Sequence, residues 1–98
     1  MLFNANDEFF LWHIAYVKYT NQEYSKAFGE HLRKLRLEKG FGMREFAREA
    51  DIEYSQLSKI ELGISNPTIA TVLMLAETLG VSHTEMYEFK FPGKGKKI

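Results

Sequence analysis

Ninety-eight residues without a cysteine make one small domain with a modest core, and they exclude a disulfide framework, a thiolate zinc site and a thiol nucleophile. Thirteen basic side chains balance thirteen acidic ones, so a contact with nucleic acid has to be local rather than spread over a basic surface. Only two prolines leave the chain free to form helices, and the lack of thiols suits a reducing cytoplasm, the expected location.

Residues 1–23 form an aromatic N-terminal extension unlike the rest of the chain. Phe9, Phe10, Trp12, Tyr16 and Tyr19 crowd into eleven residues. The apolar run from Phe9 to Val17 falls far short of the ~20 residues that span a bilayer. Asp7 and Glu8 stand where a signal peptide carries positive charge. Helix and strand patterns fit this stretch about equally: aromatic and β-branched content favours a strand, whereas Asn6 and Asp7 favour a capped helix. Three roles are open to it, namely a segment folded back on its own domain, a dimerisation arm, or an extension with little to do.

The domain proper is expected over 24–89. Phe28, Leu32 and Leu35 lie at i, i+4 and i+7 and predict a helix over 24–39 that Gly40 ends. This helix is basic, with Lys26, Arg33, Lys34, Arg36 and Lys39 against Glu30 and Glu38. Residues 43–60 then read as two short helices joined by a tight turn. Phe46, Ala47 and Ala50 share a face of the first. Asp51-Ile52-Glu53 interrupts it, Ile52 plugs the corner, and Leu57 and Ile60 anchor the second. The small Ala47 lets the two helices cross closely, as a helix-turn-helix requires. Tyr54, Ser55, Ser58 and Lys59 are left on the opposite face, a hydrogen-bonding surface with one cation that suits base-pair edges in a major groove. An ordinary helical hairpin with a solvated outer face would carry the same pattern.

Leu62 to Pro67 reads as a loop with Gly63 ending the preceding helix. Thr68 is placed to cap a fourth helix whose expected inner face is Ile69, Val72, Leu73, Ala76 and Leu79, closed by Gly80. Ser82 or Thr84 would cap a short fifth helix through Met86, Tyr87 and Phe89. The tail 90–98 is rich in Gly and Lys and is expected to be flexible. Residues 41–67 and 68–89 are both mildly acidic, so the basic charge sits on the first helix and the tail. Few phosphate contacts and a modest non-specific affinity follow.

Catalysis finds little support. His13, His31 and His83 are scattered without metal-ligand spacing, and no Gly-rich phosphate loop occurs. The pairs Asp51/Glu53 and Glu85/Glu88 lie on short elements where solvated carboxylates are the ordinary case. No enzyme, metal or cofactor is expected.

Residues 28–88 resemble the phage repressor and Cro type of helix-turn-helix domain, also called the xenobiotic-response-element family. The likeness rests on the order and spacing of Leu32-Arg33-Lys34-Leu35-Arg36, Phe46-Ala47, Ile52, Leu57-Ser58-Lys59-Ile60-Glu61, Gly63, Asn66-Pro67-Thr68 and Ala76-Glu77-Thr78-Leu79-Gly80-Val81. It does not reach residues 1–23 or the tail. The resemblance implies an all-α, compact five-helix bundle in which Tyr54 to Glu61 lies in the major groove of double-stranded DNA. The family's base-contacting positions fall on Tyr54, Ser55 and Lys59, with Ser58 close by. The family's phosphate-touching position falls on Met43; Arg44 stands beside it, and Lys34 and Asn66 are further phosphate candidates.

Two departures from the family pattern matter. Met43 stands where a Gln that touches phosphate is common, so only the free amides of that helix end could serve there. Asp51 stands where Gly is common because the backbone turns left-handed, a region Asp tolerates better than most residues. The resemblance also pairs Glu61 with Arg36. A carboxylate at a helix C-terminus is disfavoured by the helix dipole and wants such a cation, although two solvated charges would be worth little. The function implied is a homodimeric, sequence-specific transcriptional repressor on a palindromic operator. Its rival is an antitoxin-like protein-interaction module that grips a partner protein through the aromatic extension.

Overall fold

The computed structural model describes the backbone of residues 8–90 and the side chains of residues 22–90. The expected basic tail therefore lies, beyond Lys90, outside the described residues, as do residues 1–7. Four α-helices follow in order: α1 (Glu8–Glu38), α2 (Met43–Glu49), α3 (Tyr54–Glu61) and α4 (Ile69–Leu79). A single 3₁₀ turn, Thr84–Tyr87, comes after them. Among the described residues there is no strand.

The first helix is far longer than the stripe Phe28–Leu32–Leu35 required, because it continues back to Glu8. Helix formation is costly to nucleate and cheap to extend. A segment with balanced helix and strand preferences therefore joins a helix already nucleated beside it. The boundary drawn at Tyr24 falls within α1 rather than at a break.

Each helix ends in the same backbone device. Where α1 stops, Gly40 donates to the Leu37 carbonyl at 3.0 Å and Phe41 to the Arg36 carbonyl at 3.1 Å. This pair of bonds is the Schellman pattern, and it requires a left-handed residue between helix and loop. The pattern recurs after α2, α3 and α4. After α2 the left-handed residue is Asp51, with φ of 59°, among the described residues the one position without glycine where φ is positive.

The core forms where α1 to α4 converge. Leu32, Phe46, Leu57, Ile60, Leu75 and Met86 are its largest fully buried side chains. Helix α4 enters it through Val72, Leu75, Ala76 and Leu79, with Thr68 capping the Thr71 amide at 3.2 Å. The expected inner face was different: Ile69 is 78% exposed and Leu73 39%, while Leu75 is fully buried. Eight of its eleven residues are apolar, so the sequence pattern allowed two overlapping faces, and packing chose between them.

The expected fifth helix is reduced to the 3₁₀ turn. Four residues are too few for stable α-helical bonding and suit a 3₁₀ turn, which is used in short pieces. Ser82 and Glu85 cap it reciprocally, the Ser82 amide donating to Glu85 Oε1 at 2.9 Å and the Glu85 amide to Ser82 Oγ at 3.2 Å. His31 Nε2 on α1 donates to the Glu85 carbonyl at 2.7 Å. The rings of Tyr87 and Phe89 pack against Phe28 at centroid distances of 5.6 and 6.5 Å. The C-terminal turn is thereby clasped to the first helix.

Candidate nucleic-acid interface

Helices α2 and α3 form a compact angle around Ala47, which is buried, and Ile52, which packs against the core at the corner. Helix α3 is only eight residues long and begins without a side-chain cap. An isolated helix of that length is unstable in water, so its position depends on what it rests against. Leu57 and Ile60 are buried and Ser58 is half-buried, while Tyr54, Ser55 and Lys59 are exposed.

The support comes largely from α1. A Cβ built on Gly29 would stand 2.3 Å from the Ile60 carbonyl oxygen and 2.6 Å from that of Glu61. At the same crossing, a Cβ on Gly63 would stand 2.6 Å from the Lys26 Cα. Backbone therefore meets backbone, with no side chain between, where the end of α3 lies on α1. Gly29 did not stand out in the sequence, but a glycine inside an otherwise well-formed helix was the available signal, since it costs ~1 kcal/mol against alanine.

Beside this crossing, Arg36 Nε donates to Glu61 Oε2 at 2.7 Å and Nη2 to Oε1 at 3.2 Å. Both residues are buried, at 5% and 9% exposure. A third donor, Nη1, reaches the Phe41 carbonyl at 2.9 Å, in the link to α2. One guanidinium thus fixes the end of α3 to α1 and to the entrance of α2. The fork geometry of arginine matches a carboxylate bidentately, which lysine cannot do. No buried side-chain polar atom among the described residues lacks a hydrogen-bond partner.

The exposed outer face gathers the chemistry. Arg44, on the first turn of α2, stacks its guanidinium over the Tyr54 ring at 4.9 Å from the centroid. Met43 is half-buried and packs against the core, so its side chain offers nothing to a phosphate. The first turn of α2 has no side-chain cap. Lys34 is exposed on α1 and lines a groove with His31, Glu88 and Lys90. Asn66, in the loop after α3, accepts a hydrogen bond from Ser25 Oγ and borders an apolar hollow with Phe28, Pro67 and Tyr87. The fold thus brings Tyr54, Ser55, Ser58, Lys59 and Arg44 into one unit and sets Lys34 and Asn66 along α1.

Among the described residues, no three His, Asp or Glu side chains converge as metal ligands, and no helix is long and apolar enough to cross a membrane.

Comparison with known proteins bears on this geometry directly. A family model described as helix-turn-helix matches residues 32–86. An uncharacterised HTH-type transcriptional regulator, y4dJ of Sinorhizobium fredii, is 39% identical over 61 residues, covering 62% of this chain and 79% of that protein. The HTH-type transcriptional regulator DdrOP3 of Deinococcus deserti is 37% identical over 59 residues, 60% of this chain but only 46% of the longer relative. Among solved structures, the restriction-modification controller protein C.AhdI from Aeromonas hydrophila superposes with a TM-score of 0.62 at 29% identity. That match covers 63% of this chain and 94% of the controller. An HTH_3-family transcriptional regulator from Vibrio cholerae gives a TM-score of 0.65 at 26% identity, covering 74% of this chain and 46% of that one. By its matched segment and its fold, the chain belongs to the helix-turn-helix family of DNA-binding transcriptional regulators, not to a family of enzymes.

Proposed function

We propose that the chain is a sequence-specific repressor that binds a palindromic operator as a homodimer, with α3 as its reading helix. The observation that carries this reading is the division of α3 itself. Leu57 and Ile60 are buried and Glu61 is clamped by Arg36, while Ser55 and Lys59, four residues apart, face outward beside the Arg44–Tyr54 stack. In this reading Lys59 donates to guanine O6 and N7, Ser55 serves more than one base, and Ser58 borders the contact. Arg44, the first-turn amides of α2 beginning at Met43, and more weakly Lys34 and Asn66, hold the phosphates.

A homodimer follows from the size of the reader. One eight-residue helix reaches too few base pairs for useful discrimination, and two-fold symmetry doubles them on half-sites about one helical turn apart. Repression needs no further machinery, because a protein seated in the groove excludes the polymerase from the same base pairs. The likeness to a restriction-modification controller supports a regulatory role of this class.

Electrophoretic retardation tests the reading. The DNA upstream of the chain's own coding sequence should be retarded at concentrations that leave scrambled DNA free, across a salt series, with a complex of dimer mass. No preference for any DNA at low salt would refute it.

One observation favours a second reading, a protein-interaction or antitoxin-like subunit. At 1.5 Å per residue α1 is about 46 Å long, and among the described residues its apolar contribution to the core begins at Phe28. The remainder, carrying the aromatic sequence, would be the partner's grip. Capture of a different protein by the full chain, lost on deleting residues 1–22, would favour this reading over the operator.

A further inference from the structure

We infer that Tyr54 acts on DNA chiefly through Arg44, as the ring platform that holds this guanidinium ready for a phosphate, rather than as a reader of bases. The inference rests on the operator reading above and changes the role of one of its residues.

The surroundings of Arg44 supply the argument. Glu45, Glu49, Asp51 and Glu53 are all exposed on α2 and the turn after it. On α2 neither Glu45 nor Glu49 stands three or four residues from Arg44, the spacing that lets helix side chains pair. Among the described residues the one ion pair is Arg36 with Glu61, so no carboxylate holds Arg44. Arg44 lies instead over the Tyr54 ring, 4.9 Å from its centroid, well inside the ~6 Å range of a cation–π contact. The distinction is chemical. A salt bridge commits N–H donors to a carboxylate, whereas a cation–π contact draws on the charge of the guanidinium and pairs none of its donors with an oxygen.

The positions of the two residues matter as much as their contact. Arg44 belongs to the first turn of α2, and Tyr54 is the first residue of α3. The stack therefore joins the starts of the two helices that face the groove, where phosphates flanking the reading helix lie. It also limits the ring. Tyr54 is 46% exposed, and one face is already covered by the guanidinium. A thymine methyl would have to use the other face or displace Arg44.

The test is a thermodynamic cycle on the full chain, with Tyr54→Leu, Tyr54→Phe, Arg44→Ala and the Tyr54→Leu/Arg44→Ala double variant. Affinity is measured for operator and for scrambled DNA. An exposed cation–π contact corresponds to about a two- to fivefold shift in population. Tyr54→Leu should therefore weaken binding to both DNAs by that factor per half-site. Tyr54→Phe should recover most of the loss, since it restores the ring without the hydroxyl. With Arg44 already replaced by alanine, Tyr54→Leu should cost nothing more.

The stack also has a signature independent of DNA: the Arg44 side-chain protons should resonate upfield in the free protein, and lose that displacement in Tyr54→Leu but not in Tyr54→Phe. A loss confined to the operator would make Tyr54 a base reader and overturn the inference, as would additive effects of the two single variants. A Tyr54→Phe variant as weak as Tyr54→Leu would overturn it too, by assigning the work to the hydroxyl. Absence of the upfield shift refutes the stack whether or not DNA binds. A wild-type chain with the shift that binds neither DNA refutes the operator reading, and the role with it.

Discussion

Arg36 and Glu61 are 25 positions apart in sequence and share one buried bidentate contact. Replacing either by alanine strands the other charge away from water, which typically costs ~3–5 kcal/mol. Arg36→Ala and Glu61→Ala should each lower stability by that order in urea denaturation, and the double variant by less than their sum. Shifts within about half a kcal/mol, the usual range for surface changes, would instead describe a solvated contact. Gly29 sets two effects against each other. Alanine there gains ~1 kcal/mol of helix propensity, but its Cβ would lie 2.3 Å from a backbone oxygen, which no rotamer change relieves. Overpacking of a tight site costs ~1–3 kcal/mol, so Gly29→Ala should destabilise on balance. A thermal melt at or above that of wild type would show that the crossing relaxes easily. These two sites were unequally legible. The Arg36–Glu61 relation came only through likeness to a family, since 25 residues of spacing say nothing by themselves. Gly29 showed only as a glycine inside a helix, because its importance lies in atoms it lacks.

At the scale of elements, the short helices around the turn were readable because each carries a sparse apolar pattern that fits one face alone. Leu57 and Ile60 leave α3 a single way to pack. Helix α4 is the opposite case: Ile69 and Leu73 are as apolar as Leu75, and only packing against the rest of the core decides that Leu75 goes inside. The state of residues 8–23 was undecided for a third reason, since local preference was balanced and continuity with α1 settled the backbone. That continuity leads to a prediction for the extension. The described core begins at Phe28, so deletion of residues 1–22 should leave a cooperatively folding helical domain by circular dichroism. Sedimentation should then show a monomer if the arm joins two protomers. Loss of the cooperative transition would instead mean that the aromatic segment belongs to the core.

For the whole molecule, zero net charge makes the location of cations decisive. The unit formed by α2 and α3 carries Arg44, Arg48 and Lys59 against five carboxylates over residues 41–67, one of which, Glu61, is buried against Arg36. Long-range attraction to DNA is therefore weak, and a large share of affinity has to come from contacts made at the correct site. Lys59→Ala should cost ~1–3 kcal/mol on the operator and relax preference at one base pair per half-site. Arg44→Ala should weaken all sequences alike and make the salt slope shallower by about 0.9 for each phosphate left without its cation. Lys34→Ala, on α1 in a groove that it shares with Glu88, should do less than either. Titrations on operator and scrambled DNA separate these outcomes: equal losses on both DNAs for Lys59→Ala would reduce it to a phosphate anchor.

If the chain represses as proposed, the backbone-to-backbone crossing at Gly29 and Gly63 also determines how it would look in a saturation-mutagenesis screen scored by repression. Substitutions at Gly29 that push α3 off α1 would silence the phenotype as fully as substitutions at Lys59, so fitness alone would place a glycine with no donor, acceptor or charge in its side chain among the DNA-binding positions. The two classes separate only on a second axis. Cellular abundance should collapse with the Gly29 alleles, as misfolded chains are degraded, and persist with the Lys59 alleles. Suppressors should part them further: a global stabiliser elsewhere in the chain rescues Gly29 variants with mild clashes, whereas only a compensating base change in the operator rescues Lys59.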